Sequence, residues 1–130
     1  GRKGSIPEKR TQNKKRHCFL VFVGGTTSTN SKGIVEGPED IYLQTKISLK
    51  KIEDVLLEAG AAISEVIRVR IYVTDITRAQ ECLKAYSELF KSVKPVITMA
   101  EVSALARPEH LVEIEADAII GSYKVSKSIG

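Results

Sequence analysis

Cysteine and histidine are scarce in this sequence. Two of each occur in 130 residues, and Cys18, Cys82, His17 and His110 follow none of the paired spacings that hold a zinc ion. No metal centre is expected, and the two thiols read as reduced and partly buried, as in an intracellular protein. Long apolar runs are also missing: no stretch approaches the roughly 20 residues of a membrane span, and residues 1–16 lack the apolar centre of a secretion signal. A cytoplasmic protein with no membrane partner is expected. Aromatic residues are absent from residues 1–16, which removes the stacking platforms typical of single-strand nucleic-acid binding.

What is present suffices for one folded domain. The chain is 42% hydrophobic, enough at this length to bury a core. Its formal charge of +4 is unevenly placed: seven Lys or Arg against Glu8 give residues 1–16 a charge of +6, leaving about −2 for the rest. That segment, GRKGSIPEKRTQNKKR, is expected to be a basic, flexible N-terminal arm, with residues 17–130 as the single domain. Phosphate contact is the functional reading of the arm, and a solvated terminus the plain one.

Cys18–Val23 is a continuous apolar run of strand formers and reads as a strand buried on both faces, ended by Gly24-Gly25. The glycines are either a bend or a place where backbone amides approach a ligand. In the polar loop from Thr26 to Gly37, Gly33 is expected to turn the chain so that Ile34-Val35 forms a short second strand. Pro38, Glu39 and Asp40 suit the first turn of a helix over about 39–59, with Gly60 as its stop. Tyr42, Thr45, Leu49, Ile52 and Leu56 form its predicted buried stripe, widened by Val55 and Ala59. Then Ile67, Val69, Ile71 and Val73 alternate with Arg68, Arg70, Tyr72 and Thr74, the period of a half-buried strand.

Thr77 with Gln80 resembles a capping box, Asp75 being the other candidate cap, and opens a helix to about Lys91 with Leu83, Tyr86, Leu89 and Phe90 buried. Pro95 bars its continuation. Two more alternating strands follow. Val96, Thr98, Ala100 and Val102 oppose Ile97, Met99, Glu101 and Ser103, and then Val112, Ile114, Ala116 and Ala118 oppose Glu113, Glu115 and Asp117. The order β-β-α-β-α-β-β defines an α+β domain, a mixed sheet with two helices on one face. The other face, expected to carry Arg68, Arg70, Tyr72, Ile97, Met99, Glu101, Glu113 and Glu115, is too mixed for plain solvent surface.

The segments GGTTSTNSKGIVEG, LQTKISLKKIEDVLLEAGA, VIRVRIYVTDI, AEVSAL and VEIEADAII, spread over roughly Cys18 to Ile120, together resemble the reactive intermediate deaminase (Rid/YjgF) family. The resemblance implies a chorismate-mutase-like fold and a homotrimer with clefts between subunits, in which neighbours cover the mixed sheet face. It also implies hydrolysis of enamines and imines, such as 2-iminobutanoate and 2-iminopropanoate, to a carbonyl compound and ammonia, without metal or cofactor.

By the same resemblance Glu113 is the acid/base that orients water or relays protons, and the turn at Gly24, Gly25 and Thr26 supplies backbone amides to the reacting group. Elsewhere the chain departs from the family. Ile97 stands where the family has a carboxylate-binding arginine, Met99 where it has a cysteine and Leu83 where it has an asparagine, while its N-terminal tyrosine falls at Thr11. Isoleucine cannot make the charge-assisted contact to a carboxylate, worth about 1.5–3 kcal/mol. The chain thus resembles an arginine-lacking branch whose expected substrate is a small reactive imine other than the standard anionic one. Two alternatives stand beside it: a non-catalytic module binding an apolar small ligand in the inter-subunit cleft, and RNA binding or ribonuclease activity through the basic arm. For Glu113 itself, a salt bridge to Arg68 or Arg70 is the structural reading.

Overall fold

The computed structural model describes residues 18–121. The expected arm at 1–16 and the extension of the last strand toward Tyr123 and Val125 lie outside these residues. Six elements follow one another: β1 (Phe19–Thr26), α1 (Ile41–Glu58), β2 (Val66–Val73), α2 (Ala79–Phe90), β3 (Val96–Glu101) and β4 (Val112–Ile120), with 3-10 turns at Ile63–Glu65 and Ile76–Arg78. The strands form one sheet in the order β1-β4-β2-β3. β4 runs antiparallel to both neighbours and β3 parallel to β2, so this is the mixed α+β sheet that was expected. The strand expected at Ile34-Val35 reduces to a single bridge between Thr29 and Val35. A tight turn leaves it no length: the Asn30 amide donates to the Ile34 carbonyl at 2.8 Å, and Gly33 takes a φ of 81°.

α1 begins where Asp40 accepts the Leu43 amide at 3.0 Å, so Pro38 and Glu39 lie before the helix rather than in its first turn. It ends at Gly60, whose φ of 85° suits only glycine well, with the Ala61 amide returning to the Leu56 carbonyl at 2.7 Å. Its buried face is Ile41, Gln44, Thr45, Ser48, Leu49, Ile52 and Leu56, whereas Val55 and Ala59 are exposed. α2 is preceded by the 3-10 turn, which Asp75 caps by accepting from both the amide and the hydroxyl of Thr77. That use of Thr77 replaces the expected capping box. Cys82, Ala85 and Phe90 are buried, and Leu83, Tyr86 and Leu89 only half-buried. The small Cys82 and Ala85 let α2 approach α1, where the Thr45 hydroxyl donates to Cys82 Sγ at 3.3 Å.

The helices share one core with Val23, Val66, Val69, Ile71, Val73, Val112, Ile114, Ala116 and Ala118. Each fully buried large aliphatic there contributes roughly 1.5–3 kcal/mol. A register shift between Val66 and Arg68 turns Ile67 outward, 42% exposed, and Val66 takes its expected place in the core. β1 is not buried on both faces, for no helix covers the outer side: Leu20 is 60% and Phe22 70% exposed. The parallel register pairs Val69 with Ile97, Ile71 with Met99 and Val73 with Glu101. Paired residues share a face, so Ile97, Met99 and Glu101 lie on the helix side, opposite to expectation. The open face instead carries Arg68, Arg70, Tyr72, Glu113, Glu115 and Asp117. Among the described residues no helix is long and apolar enough to cross a membrane.

Candidate functional site

Gly24 and Gly25 do not end β1 but form a bulge within it, where the register to β4 shifts between Val23 and Thr26. The Thr26 hydroxyl closes the bulge on the Gly24 carbonyl at 2.8 Å. Against this turn lies Glu113, on the open face of β4 and opposite Tyr72. A Cβ at Gly25 would overlap the Glu113 carboxylate, coming within 2.8 Å of Cδ. Only glycine leaves the carboxylate its seat.

The salt bridges weighed for Glu113 do not form. Arg70 is taken by Glu115 at 2.8 Å and Asp117 at 3.3 Å, and the Tyr72 hydroxyl also donates to Glu115, at 3.2 Å. Arg68 reaches no carboxylate of the open face, and Glu113 has no hydrogen bond or ion pair among the described residues.

Beyond the bulge, side chains from several elements hold the loop from Thr27 to Glu36. Lys51 of α1 donates to the carbonyls of Thr27 and Thr29, the latter at 2.7 Å. The buried Ser28 hydroxyl donates to the Glu36 carbonyl at 2.7 Å, and Arg107 to the Gly33 carbonyl at 2.9 Å. His110 comes within 2.7 Å of the Thr29 hydroxyl through Nε2, while its buried Nδ1 has no partner among the described residues. Gln44 fixes His110 from both sides: its amide donates to the Gly37 and Glu109 carbonyls at 3.0 and 2.9 Å, and its carbonyl accepts the Leu111 amide at 2.9 Å. Burial holds the His110 imidazole below its ordinary pKa, Arg107 and Lys51 push the same way, and Glu113 and Glu109 oppose them.

The expected site residues therefore fall into two groups. Gly24, Gly25, Thr26 and Glu113 converge on the open side of the sheet. Ile97 lies across the sheet, where it lines with Tyr86, Phe90, Val93 and Pro95 a recess of about 200 Å³ at the end of α2. Met99 packs on the core, and the half-buried Leu83 does not reach this recess. His110, Lys51 and Gln44 were not legible as site residues. The Arg107-Pro108 turn before β4 marks where His110 enters, but its partner Thr29 is 81 residues away. Among the described residues no three His, Cys, Asp or Glu side chains gather as metal ligands.

A mixed four-stranded sheet backed by two helices is a fold with many solved members. The YjgF gene product of Escherichia coli has this fold, with a TM-score of 0.71 and coverage of 88% of each chain at 21% identity, a likeness of fold alone. Nearer in sequence is Rv2704 of Mycobacterium tuberculosis, a member of the YjgF/YER057c/UK114 family: 44% identical, TM-score 0.69, covering 78% of this chain and 79% of its own. A RutC family protein of Pyrococcus abyssi is 36% identical over 101 residues, 76% of this chain and 77% of that protein. The family model named Endoribonuclease L-PSP matches residues 11–120. The chain belongs to this Rid/YjgF family.

Proposed function

We propose that the protein hydrolyses a small reactive imine or enamine in a cleft completed by a second copy of the chain. The supporting observation is the Glu113 carboxylate, seated on Gly25 and without a partner among the described residues although Arg70 stands on the adjacent strand. An arginine pair would hold a carboxylate in its charged form, and Arg70 is instead paired with Glu115 and Asp117. With the imine protonated on nitrogen, Glu113 takes a proton from water as the water oxygen bonds to carbon and the C=N pair moves to nitrogen. In the collapse Glu113 returns that proton to nitrogen, the C–N bond breaks, and ammonia leaves with the electron pair. The carbinolamine hydroxyl loses its proton as the C=O bond forms.

Ile97 and Met99 lie across the sheet from Glu113, so a cleft that joins them takes Glu113 from one copy and Ile97 from the next. A homotrimer is the assembly this reading adopts, and the exposed Leu20 and Phe22 supply apolar surface for it. Ile97 offers no charge to a carboxylate, which favours an uncharged imine. The test is a panel of anionic and neutral imines, the anionic ones generated by a dehydratase, with release of the carbonyl product followed for wild type, Ile97→Arg and Glu113→Gln. Turnover of neutral imines by wild type, gain of about tenfold on anionic ones in Ile97→Arg, and loss of both in Glu113→Gln are expected. Uncatalysed rates across the panel for wild type and Ile97→Arg alike would refute the reading.

The recess beside Ile97 favours one second reading, a module that binds an apolar ligand of about 200 Å³ without turnover. Thermal stabilisation by such a ligand, undiminished in Glu113→Gln and with no chemical change in the ligand, would decide for it.

A further inference from the structure

Collapse of the carbinolamine releases the hydroxyl proton while Glu113 gives its own proton to nitrogen. We propose that His110 accepts that hydroxyl proton, reached through a hydroxyl relay that runs from Thr27 through Thr29 to Nε2. The inference rests on the hydrolytic reading above.

The relay is built from two contacts. The Thr27 hydroxyl donates to Thr29 Oγ1 at 3.3 Å, and Thr29 Oγ1 lies 2.7 Å from His110 Nε2. In the proposed relay Thr29 gives its one hydrogen to Nε2, which places the imidazole proton on Nδ1. The outer end follows the strand pairing: Thr26 pairs with Ile114, and Thr27 and Glu113 are the next residues along the two chains. The inner end is fixed. His110 is only 4% exposed, Gln44 holds the backbone on both sides of it, and Lys51 holds the carbonyls of Thr27 and Thr29. An imidazole placed so firmly with one nitrogen left unpaired is poorly explained by packing alone.

In the collapse, the carbinolamine hydroxyl gives its proton to Thr27 Oγ1 as Thr27 passes its hydrogen to Thr29 and Thr29 passes its own to Nε2. The imidazole becomes imidazolium while the carbonyl forms. The imidazolium then returns the proton along the same hydroxyls to the departing ammonia, which leaves as ammonium. Burial first, and then Arg107 on its own loop and Lys51 on α1, disfavour imidazolium, whereas Glu113 on β4 and Glu109 beside it favour it.

The experiment uses full-length protein labelled with 15N at histidine, with His17→Gln for assignment. Wild type is expected to show an acceptor-type Nε2 and a protonated Nδ1 at neutral pH. Thr29→Val removes a donor to the neutral imidazole and is expected to raise the His110 pKa by up to about one unit. If Nε2 were the donor, the charged form would lose more and the pKa would fall. Thr29→Val and Thr27→Val are each expected to lower kcat on the imine panel by roughly a hundredfold, and Thr29→Ser and Thr27→Ser to restore it. A protonated Nε2 in wild type, or a fall in pKa on Thr29→Val, overturns the relay whatever the assay gives. Full kcat in either valine variant overturns it as well. An acceptor Nε2 with no turnover by wild type keeps the hydrogen-bond order of the chain but overturns the hydrolytic reading, and with it His110 as its proton acceptor.

Discussion

Gly25 and Glu113 form a pair in which the absence of one side chain makes room for the other. Because a Cβ at position 25 meets the far end of a flexible carboxylate and not backbone, Gly25→Ala is expected to fold, losing no more than about 1 kcal/mol by urea denaturation. The same variant is expected to lose about tenfold or more in turnover, since the carboxylate is pushed from its place. His110 gives the residue scale a pH signature. Its folded pKa lies below the unfolded value, so the unfolded chain binds more protons and stability falls as the pH drops below about 6.5. Urea midpoints at pH 7.5 and 5.5 are expected to differ for wild type and to differ less for His110→Gln.

At the scale of elements, Gln44 shows how α1 reaches into the site. Its side chain is fully buried and satisfies three backbone groups of two loops. Gln44→Leu leaves those groups unsatisfied, and a loss of about 1–3 kcal/mol is expected, with faster hydrogen exchange at the Leu111 amide as the local reading. Sequence alone conveyed the C-terminal stop of α1, for Gly60 is a local signal acting on its own neighbours, but it placed Asp40 in the first turn where it is the cap. It conveyed Gly25 and Glu113 through family resemblance. It did not convey which side of β3 faces the helices, because both alternate sets there mix apolar and polar residues and the parallel register to β2 decides. Gln44, Lys51 and His110 stayed hidden for a related reason: their partners are far off in sequence, and a polar residue on an apolar stripe carries no sign of what it will bond.

For the whole molecule, the two sides of the sheet are unequal. Helices seal one, and the other exposes Leu20, Phe22 and Ile67 beside the network of Arg70 with Glu115 and Asp117. Apolar groups next to an already paired charge network suit contact with copies of the same chain. Sedimentation of wild type as an oligomer, and of Phe22→Glu as a smaller species, is the expected outcome. Monomeric wild type at micromolar concentration would leave the two groups of site residues unjoined.

The placement of Glu113 and Ile97 on opposite sides of one sheet also bears on how variants combine. If each cleft draws one group from each of two neighbours, a Glu113→Gln chain and an Ile97→Asp chain are each inactive alone yet compensate one another when coexpressed. Random mixing would rebuild about a quarter of the clefts with both groups intact. Two variants that fail separately would then show turnover when purified together as mixed oligomers.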